Sequence, residues 1–287
     1  MKGNLLMIQG TSSGAGKSTT VIALCRIFSD MGYKVCPFKA QNMTSNFYDL
    51  KENNSVKEMA RIQAVQAIAA RVRPDIRMNP ILLRPLRNNV SEIFLGGLKN
   101  LRMSAEEYYS NFVLQKGFPK VLQDIESLRK EYDLILIEGA GSPAEINLSK
   151  YDIANMILAE KINSKVLLVA DIERGGCFAA IVGTIKLLPT RQRKFVKGVI
   201  INKFLGEKSI LNSGIISVEK MTHKRVLGVI PKTRFDIPNE DSLDQKRSKS
   251  SYNKSYLEKQ IDNVASTFKR NIDMKYLLNI VKMNYDL

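Results

Sequence analysis

The chain alternates short, continuously apolar runs with longer segments whose apolar side chains recur at helical spacing. The run NLLMIQ is followed by a segment, Lys17 to Met31, in which one helical face carries Val21, Leu24, Ile27 and Phe28. Gly32 marks the end of that helix, and YKVCPF reads as a second strand. A strand, a glycine-rich loop, a helix and a strand form a βαβ unit, which predicts parallel strands.

Four later runs continue this alternation and are apolar on both faces: YDLILIEG, SKVLLVAD, VKGVIINK and RVLGVIP. Strands buried on both faces and separated by helices predict an α/β fold with a doubly wound, mostly parallel sheet. Residues 57–72 have a helical pattern. A longer helix is predicted to open at Ser104, with Glu107 in capping-box position and an interruption at Gly117 and Pro119.

The pattern predicts one large domain, residues 1–245, followed by a smaller terminal part. Residues 232–256 are polar and weakly patterned, which favours a surface loop. The remainder is again helical, so we expect residues 246–287 to be a basic loop and a terminal helical segment that packs on the same domain.

Composition limits the classes of protein to consider. The 287 residues are 44% hydrophobic and 25% charged, and no apolar run reaches the roughly 18 residues of a membrane span. The first strand begins too close to Met1 for a leader peptide. Three cysteines without paired spacing are typical of reduced thiols, so a cytoplasmic protein is expected. A single histidine, His223, argues against a histidine-based triad or zinc site.

The net charge of +16 favours an acidic partner, but the charge is spread along the chain. Dense basic stretches occur only at residues 191–197 and 245–259, and aromatic residues that could stack on bases are sparse there. The charge alone is compatible with nucleic acid, an acidic membrane surface or an acidic small molecule, and most of these lysines are expected to be ordinary solvated side chains. A homo-oligomer is possible.

The stretch QGTSSGAGKST predicts a phosphate-binding loop, because it follows a strand and opens a helix. Its backbone from Gly14 to Thr19 (Gly14, Ala15, Gly16, Lys17, Ser18, Thr19) would bind the phosphates. Lys17 would reach the β- and γ-phosphates, and Ser18 would ligate Mg²⁺. Five residues separate Gly10 from Gly16, one more than usual, so the loop is a variant of the P-loop.

Polar residues at three strand ends are expected on the same sheet edge, because parallel strands share one carboxyl edge. Glu138 follows LILI and leads into GAG. The glycines beside it let the backbone approach a ligand closely, which favours a ligand-binding role. Asp171 follows VLLVA. Its position is compatible with a ligand-binding role and equally with a helix cap. Asn202 and Lys203 lie at the end of the strand VKGVIINK, and the Asn202 amide suits the edge of an adenine.

These segments resemble the amino-terminal domain of the cobyric acid synthase family, in the same order along the chain. The motifs are MIQGTSSGAGKST, PFKAQNM, RIQAVQAIAA, MNPILLRP, IEGAGSPAEINL, DIANM, VADIERGGCFAAIVGT, VKGVIINKF, VLGVIP and EDSL. The long phosphate loop is also similar to that of dethiobiotin synthetase, a relative in fold and chemistry. Ala40, where the family often has proline, is a small departure.

The resemblance implies a P-loop ATPase fold of the dethiobiotin-synthetase type and an ATP-dependent amide ligase. Such an enzyme amidates peripheral carboxylates of a corrinoid polycarboxylate, converting cobyrinic acid a,c-diamide to cobyric acid through an acyl phosphate. ATP and Mg²⁺ are the implied cofactors. The implied partner is the acidic corrinoid, and neither nucleic acid nor membrane is expected as a partner. Lys17, Lys39 and Glu138 are the implied catalytic residues, and Ser18, Glu58 and Glu138 the implied metal ligands.

Family members usually continue into a glutaminase domain with a catalytic cysteine and histidine, and we expect this domain to be absent. Ammonia would then come from a separate or missing glutaminase domain. Of the three thiols, Cys177 is the one expected to be exposed. Two other functions stay open: a dethiobiotin-synthetase-like enzyme acting on another carboxylate, and a ParA/MinD-like switch ATPase. The switch proteins carry a lysine four residues before Gly16, where this sequence has Ser12.

Overall fold

The computed structural model of the protein describes residues 2–52, 55–237 and 253–283. Its strands are β1 (Asn4–Gly10), β2 (Val35–Phe38), β3 (Gln41–Met43), β4 (Phe47–Glu52), β5 (Ser55–Ala60), β6 (Ile81–Pro85), β7 (Val90–Leu95), β8 (Leu98–Ser104), β9 (Leu134–Glu138), β10 (Lys165–Asp171), β11 (Val196–Phe204) and β12 (Arg225–Pro231). Its α-helices are α1 (Lys17–Asp30), α2 (Arg61–Ala69), α3 (Ala105–Glu107), α4 (Phe118–Leu128), α5 (Met156–Ile162), α6 (Cys177–Leu187), α7 (Thr190–Arg193), α8 (Asn212–Thr222), α9 (Lys254–Asn271) and α10 (Met274–Val281).

The central sheet has six strands in the order β12-β11-β10-β1-β9-β2, and every neighbouring pair is parallel. Alternate residues of β1 lie in two separate hydrophobic cores. Leu5 and Met7 belong to one core, and Leu6 and Ile8 belong to the other. The core with Met7 is closed by α4, α5, α6 and α8, and the core with Ile8 by α1, α2, α9 and α10. The predicted doubly wound parallel sheet is confirmed.

A second, mixed sheet was not predicted. It has the order β3-β6-β7-β8, with β3 and β6 parallel and the other pairs antiparallel. A separate hairpin pairs β4 with β5 in antiparallel register. These strands are short and partly exposed, so their apolar pattern is weaker than that of the central strands.

The predicted helix over residues 57–72 begins too early. Residues 57–60 belong to β5 and pair with β4, from Lys57 opposite Leu50 to Ala60 opposite Phe47. The backbone N–H of Ala60 donates to Asn79 Oδ1, and the helix starts only at Arg61. Strand pairing therefore overrides the helical propensity of the first four residues.

The capping box at Ser104 is confirmed, because the Ser104 hydroxyl accepts from the Glu107 N–H and the Glu107 carboxylate accepts from the Ser104 N–H. The predicted interruption at Gly117 and Pro119 is wrong. The chain forms a π-helix over Tyr108–Gly117 and continues directly into α4, with Gly117 at helical φ −65° and ψ −54°. Pro119 is the second residue of α4 and fits the helical φ that its ring imposes.

The terminal helix α9 packs along α1, the helix that follows the phosphate loop. Arg26 of α1 is fully buried; its guanidinium pairs with Glu258 and lies 3.4 Å, Nε to Oδ1, from Asp262. The loop predicted over residues 232–256 ends earlier than expected, because α9 already begins at Lys254. Residues 238–252, which include the domain boundary predicted at 245/246 and the EDSL motif, lie outside the described residues.

No helix within the described ranges is both long enough and apolar enough to cross a bilayer.

We expect the contact between α1 and α9 to respond asymmetrically to mutation. Replacing Glu258 and Asp262 together by alanine leaves a buried guanidinium uncompensated and should cost about 3–5 kcal/mol in the free energy of unfolding. Arg26→Met keeps the volume apolar and returns two partly exposed carboxylates to water, so it should cost much less. Urea unfolding with Lys259→Ala, an exposed change on the same helix, as control measures both. Equal losses for the two variants would contradict this account.

Candidate active site

The phosphate loop lies between β1 and α1, at the carboxyl edge of the central sheet. Gly14 and Gly16 have φ of 71° and 102°, a left-handed region that glycine adopts readily. A Cβ on Gly16 would lie 2.0 Å from Asn202 Nδ2, so a larger residue would displace that side chain. The first N–H groups of α1, from Lys17 to Thr19, have no acceptor within the helix. The loop therefore presents backbone donors and a positive helix end to an anion.

The carbonyl oxygens of the loop are held by donors on the opposite side. Lys203 Nζ donates to Gly14 O at 2.8 Å, and Asn202 Nδ2 donates to Ala15 O at 2.9 Å. Lys17 Nζ lies 3.3 Å from Ser12 O. These contacts join the loop carbonyls to the end of β11 and to Lys17.

A buried carboxylate joins this loop to the rest of the sheet edge. Glu138, the last residue of β9, is fully buried, and its Oε1 accepts from Ser18 Oγ at 2.7 Å and from Lys39 Nζ at 2.9 Å. Its Oε2 accepts from Gln66 Nε2 of α2. The structure thus brings together three of the residues predicted from sequence, Ser18, Lys39 and Glu138.

Glu138 is ionised despite its burial. Desolvation favours the neutral acid, but the Lys39 ammonium and the hydrogen bonds from Lys39, Ser18 and Gln66 outweigh it and hold the pKa of Glu138 below its ordinary value. One carboxylate and one hydroxyl fit Mg²⁺, which keeps several waters and takes most other ligands from phosphate oxygens. No larger cluster of carboxylate, histidine or cysteine ligands occurs in the described part of the chain.

Two other predicted acids lie in separate ion pairs. Glu58, on β5, pairs with Arg84 Nη2 at 3.1 Å and does not join the Glu138 cluster in this structure. Asp171, at the end of β10, accepts from Lys203 Nζ at 2.7 Å and so orients the lysine that holds the phosphate loop.

Several site residues escaped sequence reasoning. Gln66 of α2 donates to Glu138, and Gly141 O accepts from Lys17 Nζ at 2.9 Å. Asn42 and Gln63 are fully buried, with side-chain amides that find no hydrogen-bond partner among the described residues. The one signal was the spacing of Gln63 and Gln66, which places two amides on the buried face of an apolar helix.

The expectation that Cys177 is exposed is wrong. Its side chain is buried at the start of α6, as are those of Cys25 and Cys36 in their elements. Desolvation, with the nearby Asp171 carboxylate, raises the pKa of Cys177 to about 12. Burial likewise raises the pKa of Cys25 and of Cys36. None of the three thiols has the lowered pKa of a reactive cysteine.

A pocket of about 150 Å³ adjoins Gly141 and is lined by Tyr109, Glu145, Asp152 and Asn155 among others. Asp152 Oδ1 accepts from the Ala154 N–H at 3.3 Å and from Asn155 Nδ2 at 3.2 Å. Desolvation outweighs these bonds and raises the pKa of Asp152 to about 6.

A family model described as "CobQ/CobB/MinD/ParA nucleotide binding domain" matches residues 6–242, which include the phosphate loop, Glu138 and Asn202. The chain belongs to this family. The P-loop fold predicted from sequence is thereby confirmed, and the predicted resemblance to cobyric acid synthases is confirmed by named relatives.

This nucleotide-binding domain is 48% identical, over 241 residues, to a protein of Thermococcus kodakarensis named "Probable cobyric acid synthase"; the match covers 84% of the chain and 49% of that protein. It is 51% identical, over 240 residues, to the "Cobyric acid synthase" of Caldanaerobacter subterraneus subsp. tengcongensis, covering 82% and 46%. The chain spans about half the length of the curated relatives it matches. A solved structure of the receptor FtsY from Elizabethkingia anophelis with GDP is also similar, with 14% identity and a TM-score of 0.48 over 91% of this chain and 64% of that one.

Because Asn202 holds the Ala15 carbonyl of the phosphate loop, we predict that Asn202 supports binding of the triphosphate group. Asn202→Ala should weaken binding of both ATP and inorganic tripolyphosphate by about five- to tenfold, the effect of one lost hydrogen bond. Isothermal titration calorimetry measures both affinities, with the exposed Asn263→Ala as control. Weaker ATP binding with unchanged tripolyphosphate binding would instead assign Asn202 to the base alone.

The raised pKa of Asp152 predicts a pH-dependent stability. The folded chain binds a proton here more readily than the unfolded chain, whose aspartate pKa is about 3.9, so stability should fall as pH rises from about 4 to 6. Asp152→Asn keeps an acceptor for the Ala154 N–H and should flatten this part of the curve. Urea unfolding at several pH values measures the slope; an unchanged slope in the variant would contradict the assignment.

Proposed function

We propose that this chain is the ATP-dependent synthetase part of a cobyric acid synthase-type amide ligase. It would amidate peripheral carboxylates of a corrinoid, converting cobyrinic acid a,c-diamide to cobyric acid. The observation that carries the proposal is the identity of 48–51% to proteins named cobyric acid synthase, over more than 80% of the chain. The buried cluster around Glu138 supports it, because its carboxylate, the Ser18 hydroxyl and the Lys39 ammonium are groups suited to a metal ion and a phosphate.

The phosphate loop would bind the triphosphate of ATP through its inward N–H groups. Lys17 would exchange its contact with Gly141 O for a phosphate oxygen. Ser18 and Glu138 would hold Mg²⁺, with Glu58 as a further ligand once it leaves Arg84; the ion would supply positive charge to the phosphates. Asn202, beside the loop, would contact the adenine through its free Oδ1.

Lys39 would stabilise the transferred phosphoryl group. Its ammonium is almost fully buried against Glu138, so its charge is little screened by water. A fixed cation near the γ-phosphoryl group stabilises the charge that spreads over its oxygens in the transition state. The contact of 2.9 Å between Lys39 Nζ and Glu138 Oε1 also holds the lysine side chain in place.

The chemistry would proceed in two displacements. A carboxylate oxygen of the corrinoid attacks the γ-phosphorus, forms a P–O bond and releases ADP. Ammonia then attacks the acyl carbon, the C–O bond to phosphate breaks, and the nitrogen loses a proton to give the amide and inorganic phosphate. Both steps need the substrates to be positioned and their charge stabilised, which the site can provide.

We propose that ammonia, rather than glutamine, is the direct nitrogen donor for this chain. Glutamine hydrolysis by a thiol needs an ionised cysteine beside a base. The three cysteines of the chain are buried with raised pKa values, and its one histidine, His223, ends α8 with φ 54°.

Two other functions use the same loop. A ParA/MinD-like switch ATPase fits the family description, but Ser12 replaces the lysine that those proteins carry in the loop. A dethiobiotin-synthetase-like enzyme on another carboxylate fits the phosphate loop but not the motifs shared with cobyric acid synthases.

The proposal predicts that phosphate release from ATP requires both a corrinoid acid and ammonium. The assay combines the chain, ATP, Mg²⁺, ammonium chloride and cobyrinic acid a,c-diamide. Released phosphate is measured with a colorimetric assay, and amide products are measured by mass spectrometry. Lys17→Ala should reduce turnover at least about 100-fold by removing phosphate charge stabilisation, while the exposed Lys259→Ala should not. ATP hydrolysis stimulated by DNA or lipid vesicles and indifferent to the corrinoid would favour the switch ATPase.

A further inference from the structure

A groove lies on the face of the sheet that is covered by α4, α5 and α6. The residues that line it differ in kind from those of the phosphate site. It encloses about 510 Å³ between the start of α4, helix α5 and the segment from the end of α6 to α7. This volume is within the range of about 300–1,000 Å³ that is usual for small-molecule pockets.

The groove is apolar with a cationic rim. Leu187 and Ile146 line it with 55% and 65% of their surface exposed, and Met156 and Leu188 contribute buried apolar side chains. Exposed apolar residues concentrated at one depression indicate a binding surface.

Three basic residues (Lys150, Lys161, Arg191) and two acidic ones (Asp152, Glu160) line the groove. Lys150 and Lys161 line the groove as exposed cations, and Arg191 pairs with Glu160 at 3.1 Å. An apolar surface bordered by ammonium groups suits a flat apolar ring that carries carboxylate arms.

The groove and the pocket beside the phosphate loop share one lining residue. Asp152 lines both the groove and the 150 Å³ pocket, and that pocket also includes Gly141, whose carbonyl accepts from Lys17. A molecule seated in the groove could therefore extend an arm past Asp152 toward the phosphate loop.

We propose that this groove binds the macrocycle of the corrinoid, with its carboxylate arms directed to Lys150, Lys161 and the phosphate site. The inference rests on the proposed function and adds the location of the ring. It also explains why an acidic ligand can approach a site whose smaller pocket contains the two acids Glu145 and Asp152: the arms are attracted at the rim, and the ring packs on apolar side chains.

The test compares the affinity of the full chain for cobyrinic acid a,c-diamide, followed by its visible absorbance in equilibrium dialysis. Leu187→Glu places a negative charge on the apolar surface and should weaken binding at least about tenfold, the order of one lost buried leucine contact. Lys150→Ala should weaken corrinoid binding less than Leu187→Glu does, and its effect should be larger at low salt. Ile216→Glu, on α8 and 65% exposed, is the matched control and should bind normally. Fluorescent ATP should bind all variants like the wild-type chain.

The outcomes separate this inference from the proposed function. If the wild-type chain binds no corrinoid, both are wrong. If it binds the corrinoid and Leu187→Glu binds equally well, only the groove assignment is overturned. A change in molecular mass by light scattering in Leu187→Glu, with corrinoid affinity unchanged, would show that the groove instead contacts a second copy of the chain.

Discussion

The burial of Glu138 is the constraint on which the site depends. A carboxylate removed from water is stable only if donors replace its hydration. Here the donors come from the phosphate-loop helix (Ser18), the segment after β2 (Lys39) and helix α2 (Gln66). One charge thus fixes the relative positions of four elements that are distant in sequence. The same requirement makes the cluster sensitive to a bound cation, because Mg²⁺ at Ser18 and Glu138 would replace part of this compensation.

A second set of contacts shapes the loop itself. Backbone carbonyls of Gly14 and Ala15 are held from outside by Lys203 and Asn202 at the end of β11, and Asp171 at the end of β10 orients Lys203. The carbonyls accept from these donors, and the N–H groups of the loop would remain available to an anion. Preorganisation of this kind lowers the cost of ordering the loop when the ligand binds. The parallel sheet makes it possible, because all of these residues lie at strand ends on one edge.

The central sheet and the phosphate site were predictable because their signals are local. Strands such as LILIE and VLLVA are continuously apolar, and Glu138, Asp171 and Asn202 follow directly from strand ends at one edge. The second sheet was missed, although Gly96 and Gly97 between β7 and β8 have φ of 59° and 80°, as a tight two-residue hairpin turn requires. The contact of Gln66 with Glu138 and the burial of Cys177 could not be predicted, because each depends on which distant element packs against it. The pairing of Glu58 with Arg84 likewise joins two strands whose proximity the sequence does not reveal.

The central claim is that this chain activates a carboxylate by phosphoryl transfer from ATP, and the transfer of oxygen tests it most directly. Cobyrinic acid a,c-diamide labelled with ¹⁸O in its free carboxylates is incubated with the chain, ATP, Mg²⁺ and ammonium chloride. Phosphate and corrinoid are then analysed by mass spectrometry. An acyl phosphate predicts one ¹⁸O atom in the released phosphate for each amide formed, because the bridging oxygen leaves with phosphorus. Amide formation with unlabelled phosphate, or phosphate release without any amide, would contradict the account.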